Sequence, residues 1–219
     1  MLSDRVIFID GEAIILDKPA GLPVDAPRDG SLSLENHLST LTFGFQRWPL
    51  PVHRLDRDTS GCLLLARNPK AHKRFAQAFE QGRVEKLYLA VIEGVTAEAE
   101  GLIDLPLFKI SSREEGWRMT VDPRGKAART HWSRVAEKDG RTLIAFRPET
   151  GRTHQIRAHA LHGLGAPIVG DFIYGSRAQT GMLLHSYRLS IPRDGKPPVE
   201  AVAPLPERFV QAGFTYGEG

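Results

Sequence analysis

Residues 53–66 read His-Arg-Leu-Asp-Arg-Asp-Thr-Ser-Gly-Cys-Leu-Leu-Leu-Ala, a charged loop that runs directly into an apolar segment. The apolar segment, 62–66, is typical of a buried strand. Asp56 and Asp58 lie close together in the loop, among arginines. A carboxylate beside arginines stays ionised, which suits nucleophilic or electrostatic work at a sugar carbon better than proton donation. The alternative interpretation is a salt-bridged loop without chemistry.

Outward from this stretch, short strands are mixed with a few helices. The patterns predict strands at 6–9, 13–16, 62–66, 86–92, 130–135, 142–147 and 183–191. They also predict three helices: one that Ser33 caps, one over residues 70–81, and one that begins at 151–153 and ends at Gly163 or Gly165. Residues 109–125 are polar and predict a long loop or a hairpin arm. Because strands outnumber helices and do not alternate regularly with them, we expect an α+β fold.

Length and composition exclude several classes of protein. The 219 residues correspond to one large domain or two small ones, with 41% hydrophobic and 25% charged residues. The longest apolar run, 87–92, is too short to span a membrane, and the first ten residues lack the apolar region of a signal peptide. The one cysteine, Cys62, excludes an internal disulfide framework and a Cys-based zinc cluster. We expect a cytoplasmic protein.

The charge is distributed unevenly along the chain. The net charge is +3, but residues 105–160 alone hold twelve Lys/Arg and six acidic residues. A locally basic surface favours a polyanionic partner, nucleic acid first. The alternative is an ordinary solvated charged surface.

A second polar cluster lies at residues 149–157. Thr153 is predicted to cap the following helix, where free backbone N–H groups favour an anion. Arg157 follows His154 by three residues, so the two share a helix face. A phosphate, or a carboxylate such as Asp56, would fit between this helix and the loop. The alternative is a capped helix with surface arginines.

Metal binding and thiol chemistry are two further possibilities for the histidines and the cysteine. His159 and His162 share a helix face, but His154 points about 140° away, so three histidine ligands do not converge on a metal. Cys62 could pair with a distant histidine as a thiol nucleophile. However, it heads an apolar strand, which predicts a buried, inert thiol.

Several segments, in a fixed order, carry a resemblance to a known family. They are Asp17-Lys-Pro-Ala-Gly21, His53-Arg-Leu-Asp-x-x-Thr-Ser-Gly61, Lys86-Leu-Tyr88, Gly125-Lys-Ala-Ala-Arg-Thr130, Gly151-Arg-Thr-His-Gln-Ile-Arg157 with parts of 165–175, and Leu184-His185 with Leu189. From about residue 5 to 205 the chain resembles the RluA-type pseudouridine synthases. The length resembles the compact subgroup without an N-terminal S4 module.

The resemblance implies a fold and a set of site residues. The fold is a bent, mostly antiparallel mixed sheet flanked by helices and loops, in two halves around a cleft, as a single catalytic domain over 1–219 without a cofactor or metal. The family's catalytic aspartate corresponds to Asp56, its tyrosine to Tyr88, and the arginine that pairs with the aspartate to Arg157. Arg54 matches an arginine that helps to displace the target nucleotide. The other substrate-binding candidates are Lys18, Arg152, His154, Ile156 and Leu184.

The resemblance therefore predicts isomerisation of specific uridines to pseudouridine in structured RNA, in a tRNA anticodon stem-loop, in 23S rRNA or in both. The target uridine would be flipped out of the RNA, and the enzyme would act as a monomer. Two other classes remain open at this point. One is an RNA-binding protein of this fold without activity, and the other is a hydrolase that uses Asp56 and Asp58.

Overall fold

The computed structural model describes residues 1–27, 30–112 and 116–217. In chain order the strands are β1 (Val6–Ile9), β2 (Ala13–Lys18), β3 (Leu50–Pro51), β4 (Ser60–Ala66), β5 (Glu85–Ile92), β6 (Glu100–Asp104), β7 (Leu107–Ser112), β8 (Gly116–Val121), β9 (Arg129–Lys138), β10 (Arg141–Pro148), β11 (Leu184–Arg193) and β12 (Lys196–Val202). The helices are α1 (Pro69–Glu80), α2 (Gln155–Leu164) and α3 (Glu207–Gln211), with 3-10 helices at Leu2–Arg5 and Leu34–Leu41. Strands dominate, which confirms the predicted α+β class.

None of the helices in the described ranges has the length and apolar character needed to cross a membrane.

The chain divides into two compact units. The first unit comprises Met1–Lys86 and Ser186–Pro204, and the second comprises Leu87–His185 and Leu205–Gly219. The chain passes between the units within β5, again within β11, and a third time after Pro204. That residues 1–219 act as one catalytic domain remains a prediction.

In the first unit the strand order is β1-β2-β4-β11, with β12 beside β11 and β3 beside β4. Every residue of β2 and of β4 is buried, as their apolar runs predict. The two strands are antiparallel, and Lys18 at the end of β2 lies opposite Gly61 near the start of β4. The loop after β2 and the loop before β4 therefore emerge at the same edge of the sheet.

Helix α1 covers one face of this sheet with the side chains predicted from its periodicity. Asn68 caps the helix, since its Oδ1 accepts a hydrogen bond from the Ala71 N–H at 2.8 Å. Ala71 and Phe75 are buried in the core of the first unit, while Phe79 is only partly buried against it. The exposed part of Phe79 leaves a ring face for a neighbouring side chain.

In the second unit the strand order is β5-β10-β9-β6, and these neighbours pair antiparallel. Strands β7 and β8 form a separate hairpin, which confirms the hairpin alternative for the polar segment at 109–125. Residues 113–115 of that segment lie outside the described residues. Strands β6 and β12 and helix α3 had no clear hydrophobic period and were not predicted.

The predicted start of α2 is wrong by one residue. His154, not Thr153, is the N-cap, with a left-handed φ of +53°, and the helix ends at Gly165 as predicted. Gln155 closes a turn just before the helix, because its Oε1 accepts the Arg152 N–H at 2.9 Å and its own N–H donates to the Arg152 carbonyl at 3.1 Å. Thr153 therefore lies inside this turn and does not cap the helix.

Candidate active site

Asp56 lies on a tight turn between β3 and β4 that is fixed through its backbone. The Thr59 N–H donates to the Asp56 carbonyl at 3.1 Å. The neighbouring Arg57 carbonyl accepts from the Gly21 N–H at 2.9 Å, and Arg57 Nε donates back to the Gly21 carbonyl at 3.2 Å. Asp56 is half-buried and Asp58 is exposed. The turn is thus attached to the loop after β2, while the two carboxylates differ in their access to water.

Lys18 connects the two loops through hydrogen bonds from its side chain. Its side chain is fully buried, and its Nζ donates to the carbonyls of Pro19 at 2.9 Å, Leu22 at 2.8 Å and Arg57 at 3.0 Å. An ammonium has three N–H donors, and a buried one must satisfy them. Lys18 was predicted to bind substrate. Its burial and its carbonyl partners favour a different role, in which it positions the turn that carries Asp56.

His53 fixes the beginning of the same loop. Its Nε2 accepts the Leu64 N–H at 3.0 Å, and its ring stacks on Phe79 with the centroids 4.6 Å apart. Loss of water around the ring, and then the nearby Lys86 ammonium, lower the pKa of His53 to about 3. The imidazole is therefore neutral and carries its proton on Nδ1, because Nε2 is an acceptor.

Arg54 is directed into water, where it pairs with Asp25. Arg54 Nη1 lies 3.0 Å from Asp25 Oδ2, and the two side chains are 73% and 56% exposed. An ion pair this exposed contributes at most about 1 kcal/mol. The guanidinium can therefore exchange this carboxylate for another anion at little cost.

In the second unit, Arg157 is held by the carboxylate of Asp171, which was not among the predicted site residues. Arg157 Nε and Nη2 donate to the two oxygens of Asp171 at 2.6 and 2.8 Å, and both side chains are buried. This two-point pairing fixes the plane of the guanidinium. The signal for Asp171 was available, since an arginine on the buried face of a helix requires a buried anion.

His154 belongs to a chain of contacts that begins beside Arg157. Tyr174 lies 5.2 Å from the Arg157 guanidinium carbon, and its hydroxyl accepts the Met119 N–H at 3.1 Å. The same hydroxyl lies 3.1 Å from His154 Nδ1, and the His154 ring stacks on Trp117 at 4.7 Å. His154 is buried. The hairpin β7–β8 is thereby attached to the start of α2.

The remaining candidates form an apolar group and one exposed cation. Tyr88, in β5, is half-buried and pairs in register with Phe146 of β10. It packs against the core cluster that contains Ile156 and Leu184, both buried. Arg152 is exposed and donates from Nε to the Ala127 carbonyl at 3.0 Å.

The candidates are thus distributed over both units. The first unit holds Lys18, Arg54 and Asp56. The second holds Tyr88, Arg152, His154, Ile156, Arg157 and Leu184.

The thiol alternative is contradicted by the structure. Cys62 is buried, with its Sγ 3.4 Å from the Tyr187 carbonyl, and burial raises the pKa of its thiol to about 12. Such a thiol is protonated and inaccessible, so it cannot act as a nucleophile.

The histidines of α2 are engaged by the fold. His159 is buried between the Thr130 hydroxyl, 2.9 Å from Nδ1, and the Leu105 carbonyl, 3.0 Å from Nε2. Burial lowers the pKa of His159. Within residues 1–27, 30–112 and 116–217, no three His, Cys, Asp or Glu side chains are grouped as metal ligands.

Comparisons with known proteins identify the family of the chain. Residues 12–162 match the profile of the RNA pseudouridylate synthase family. An uncharacterized RNA pseudouridine synthase of Zymomonas mobilis subsp. mobilis is 61% identical over 217 residues, which cover 98% of this chain and 99% of the relative. The ribosomal large subunit pseudouridine synthase C of Buchnera aphidicola is 35% identical over 175 residues, and the match spans 80% of this chain and 55% of that protein.

The fold is shared with a solved human structure, RNA pseudouridylate synthase domain containing 4. The TM-score is 0.80 at 24% identity, and the match covers 96% of this chain and 92% of the human one. The chain belongs to the RNA pseudouridylate synthase family, of the RluA type that its motifs resemble. It is an enzyme of this class, an RNA pseudouridine synthase.

Proposed function

We propose that the chain isomerises specific uridines in structured RNA, with Asp56 as the catalytic residue. The bond between N1 of uracil and C1′ of the ribose breaks, the base turns over, and C5 joins C1′, while a proton leaves C5 and N1 takes one up. Asp56 begins the reaction either by attacking C1′ or by removing the C2′ proton to give a glycal. The observation that carries the proposal is the fixed turn of Asp56, half-buried and attached to a second loop through Arg57 and Lys18.

The target uridine must leave its stack before it reaches Asp56. Base flipping costs a few kcal/mol, which contacts to phosphate and to neighbouring bases offset. Arg54 is two residues from Asp56, is exposed, and pairs with the exposed Asp25. We assign it the role of exchanging Asp25 for the RNA and occupying the place of the flipped nucleotide.

We propose that Arg157 keeps the reacting carboxylate ionised and oriented towards the ribose, the role that the resemblance to the family implies. Its support in this structure is the two-point bond to Asp171, which holds the guanidinium in one orientation. An arginine held in this way loses little rotamer freedom when it binds a second anion.

Tyr88, Ile156 and Leu184 are proposed to surround the detached uracil. All three belong to one apolar cluster, and only Tyr88 is half-exposed. An apolar wall excludes water, and water would convert the reaction into hydrolysis that leaves an abasic site. Tyr88 would face the ring and accept the C5 proton.

RNA recognition is proposed to use the basic part of the second unit. The hairpin β7–β8 presents Lys109, whose Nζ lies 4.7 Å from the Trp117 ring centroid, and Arg118 follows on the same strand as Trp117. Cations beside an exposed aromatic ring fit phosphate and base contacts, so binding should weaken steeply with salt. The name of the Buchnera relative favours a large-subunit rRNA substrate, and a tRNA anticodon stem-loop is the second candidate.

The reaction is tested with unmodified tRNA and 23S rRNA transcripts that carry tritium at uracil C5. Each isomerisation releases this hydrogen to water. We expect release by the wild type and a fall of about a thousandfold or more in Asp56→Asn, the scale seen when a covalent catalyst is removed. Asp58→Asn is the matched control, because this exposed carboxylate lies on the same loop. It should keep near-normal turnover.

Three outcomes contradict the proposal. Normal turnover in Asp56→Asn removes the assigned role of that carboxylate. Release of free uracil supports the hydrolase alternative. Binding of both RNAs without tritium release, in wild type and variant alike, supports the RNA-binding protein without activity.

A further inference from the structure

A surface of the first unit outside the loop of Asp56 exposes an unusual set of side chains. Phe43, Phe45, Trp48 and Leu50 are 43%, 41%, 59% and 44% exposed, and all four fall within eight residues. Clustered exposed apolar side chains mark binding sites, whereas single ones are ordinary. We call residues 43–50 the aromatic segment. It connects the 3-10 helix Leu34–Leu41 to β3.

The side chain of Arg67 fixes the aromatic segment through hydrogen bonds and a contact with an aromatic ring. The Arg67 side chain is buried, its Nη2 donates to the carbonyls of Thr42 and Phe43 at 3.0 and 3.1 Å, and its Nη1 donates to the Asp10 carbonyl at 2.8 Å. The guanidinium carbon lies 3.7 Å from the centroid of the Phe45 ring. Phe43 keeps a φ of +45°, which is rare for a bulky side chain. The fold thus presents aromatic rings to water at a fixed place.

An open cleft of about 450 Å³ lies beside these rings. Trp48, Leu50 and Pro69 form its apolar walls, and Gln46 and Asn68 add amide groups. Its cations are Arg47, which is exposed, and Arg67. Of the described residues that line the cleft, none is acidic. The volume is within the range of sites for small organic groups.

We propose that this cleft binds an unpaired nucleotide of the RNA substrate, outside the uridine that reacts. The base stacks on Trp48, its edge meets the amides of Gln46 and Asn68, and its phosphate pairs with Arg47. Exposed indole, amide groups and arginine without a carboxylate complement a base joined to a phosphate. An apolar protein segment would leave Arg47 without an anion. The assignment rests on the proposed function, since it takes RNA as the ligand.

The test measures binding of a fluorescein-labelled oligouridylate of about twelve nucleotides by anisotropy. Trp48→Ala should weaken binding about tenfold, because stacking of one base on an aromatic ring is lost. Trp48→Phe should restore most of the affinity. Arg47→Ala should lower the slope of log Kd against log salt by about 0.7, the value for one phosphate of a single strand. Val210→Ala, at another exposed apolar side chain, is the control and should bind normally.

Tritium release from the full-length RNAs is measured with the same proteins. If the wild type releases tritium but Trp48→Ala binds the oligouridylate normally, this inference is overturned and the proposed function stands. If the wild type neither binds RNA nor releases tritium, both are overturned. Light scattering completes the test. Loss of a dimer in Trp48→Ala, with oligouridylate binding intact, would assign the surface to a second copy of the chain and overturn the inference.

Discussion

The two units each contain a buried cation, Lys18 in the first and Arg157 in the second, and they bind these cations in different ways. In the first unit, the Lys18 ammonium bonds three backbone carbonyls and so fixes the shape of two loops. In the second, the Arg157 guanidinium bonds both oxygens of one carboxylate and so fixes the orientation of one side chain. The difference shows what each cation does. Lys18 acts on the position of the backbone beside Asp56, and Asp171 acts on the direction of a charge.

The largest effect is expected from breaking the side-chain pair of the second unit. Asp171→Asn keeps the shape of the residue but leaves a buried guanidinium without its anion. This should lower the free energy of unfolding by about 3–5 kcal/mol and sharply reduce tritium release. Denaturant titration measures the free energy of unfolding, and tritium release from uracil C5 measures the activity. Glu149→Gln is the matched control, because its contacts with Arg129 and His131 are exposed and should contribute about 1 kcal/mol or less each.

If the free energy of unfolding of Asp171→Asn is no lower than that of Glu149→Gln, the buried ion pair does not hold Arg157 in the second unit.

A smaller effect is expected from the loops of the first unit. Lys18→Met removes the buried ammonium, and the Pro19 and Leu22 carbonyls lose it as a donor, which should cost about 1–3 kcal/mol. Because Lys18 acts through the turn of Asp56, kcat should fall while the KM for RNA stays nearly constant. Steady-state tritium release gives both constants. The control is Lys70→Met, at an exposed lysine, which should change neither.

A raised KM with an unchanged kcat in Lys18→Met would instead support direct binding of RNA by Lys18, the role first predicted from the sequence.

The last effect appears only below neutral pH and concerns the loop of Asp56. The pKa of His53 is lowered from 6.5 to about 3, so its neutral form stabilises the fold fully above pH 6.5. This contribution is lost as the pH falls from 6.5 towards 3, by at most about 1.4 kcal/mol per pH unit for one proton. Unfolding of wild type and His53→Asn across this range measures the difference. The variant should lose stability less steeply with acid.

Equal slopes in the two proteins would show that folding does not lower the pKa of His53, which would contradict a buried neutral imidazole that accepts the Leu64 N–H.

Much of the fold was predictable because its signals are local. The apolar runs at 13–16 and 62–66 became the buried strands β2 and β4, and the periodicity over 70–81 became α1 with its boundaries shifted by one residue. Strands β6 and β12 were missed. Each lies at the end of its unit's strand order and buries only one or two apolar side chains, Ile103 in β6 and Val199 and Ala201 in β12, which is a weak signal in the sequence.

The candidate site shows the same division between local and distant information. The order of charges in residues 53–61 marked Asp56 and Arg54 as a functional loop, and the structure describes a fixed turn there. The partners of the charged residues were mostly not predicted. Arg54 pairs with Asp25 rather than with the neighbouring aspartates, and Lys18 is buried although lysine is usually exposed.

By itself, the sequence determined the α+β class, the family and the residue types at the site, because hydrophobic runs and motifs depend only on neighbours along the chain. Only the tertiary structure decided which groups neutralise the buried cations. Lys18 meets the Arg57 carbonyl across 39 positions, and Arg157 meets Asp171 across 14. A buried charge must find a partner wherever the folded backbone brings one, and spacing along the chain does not encode that approach.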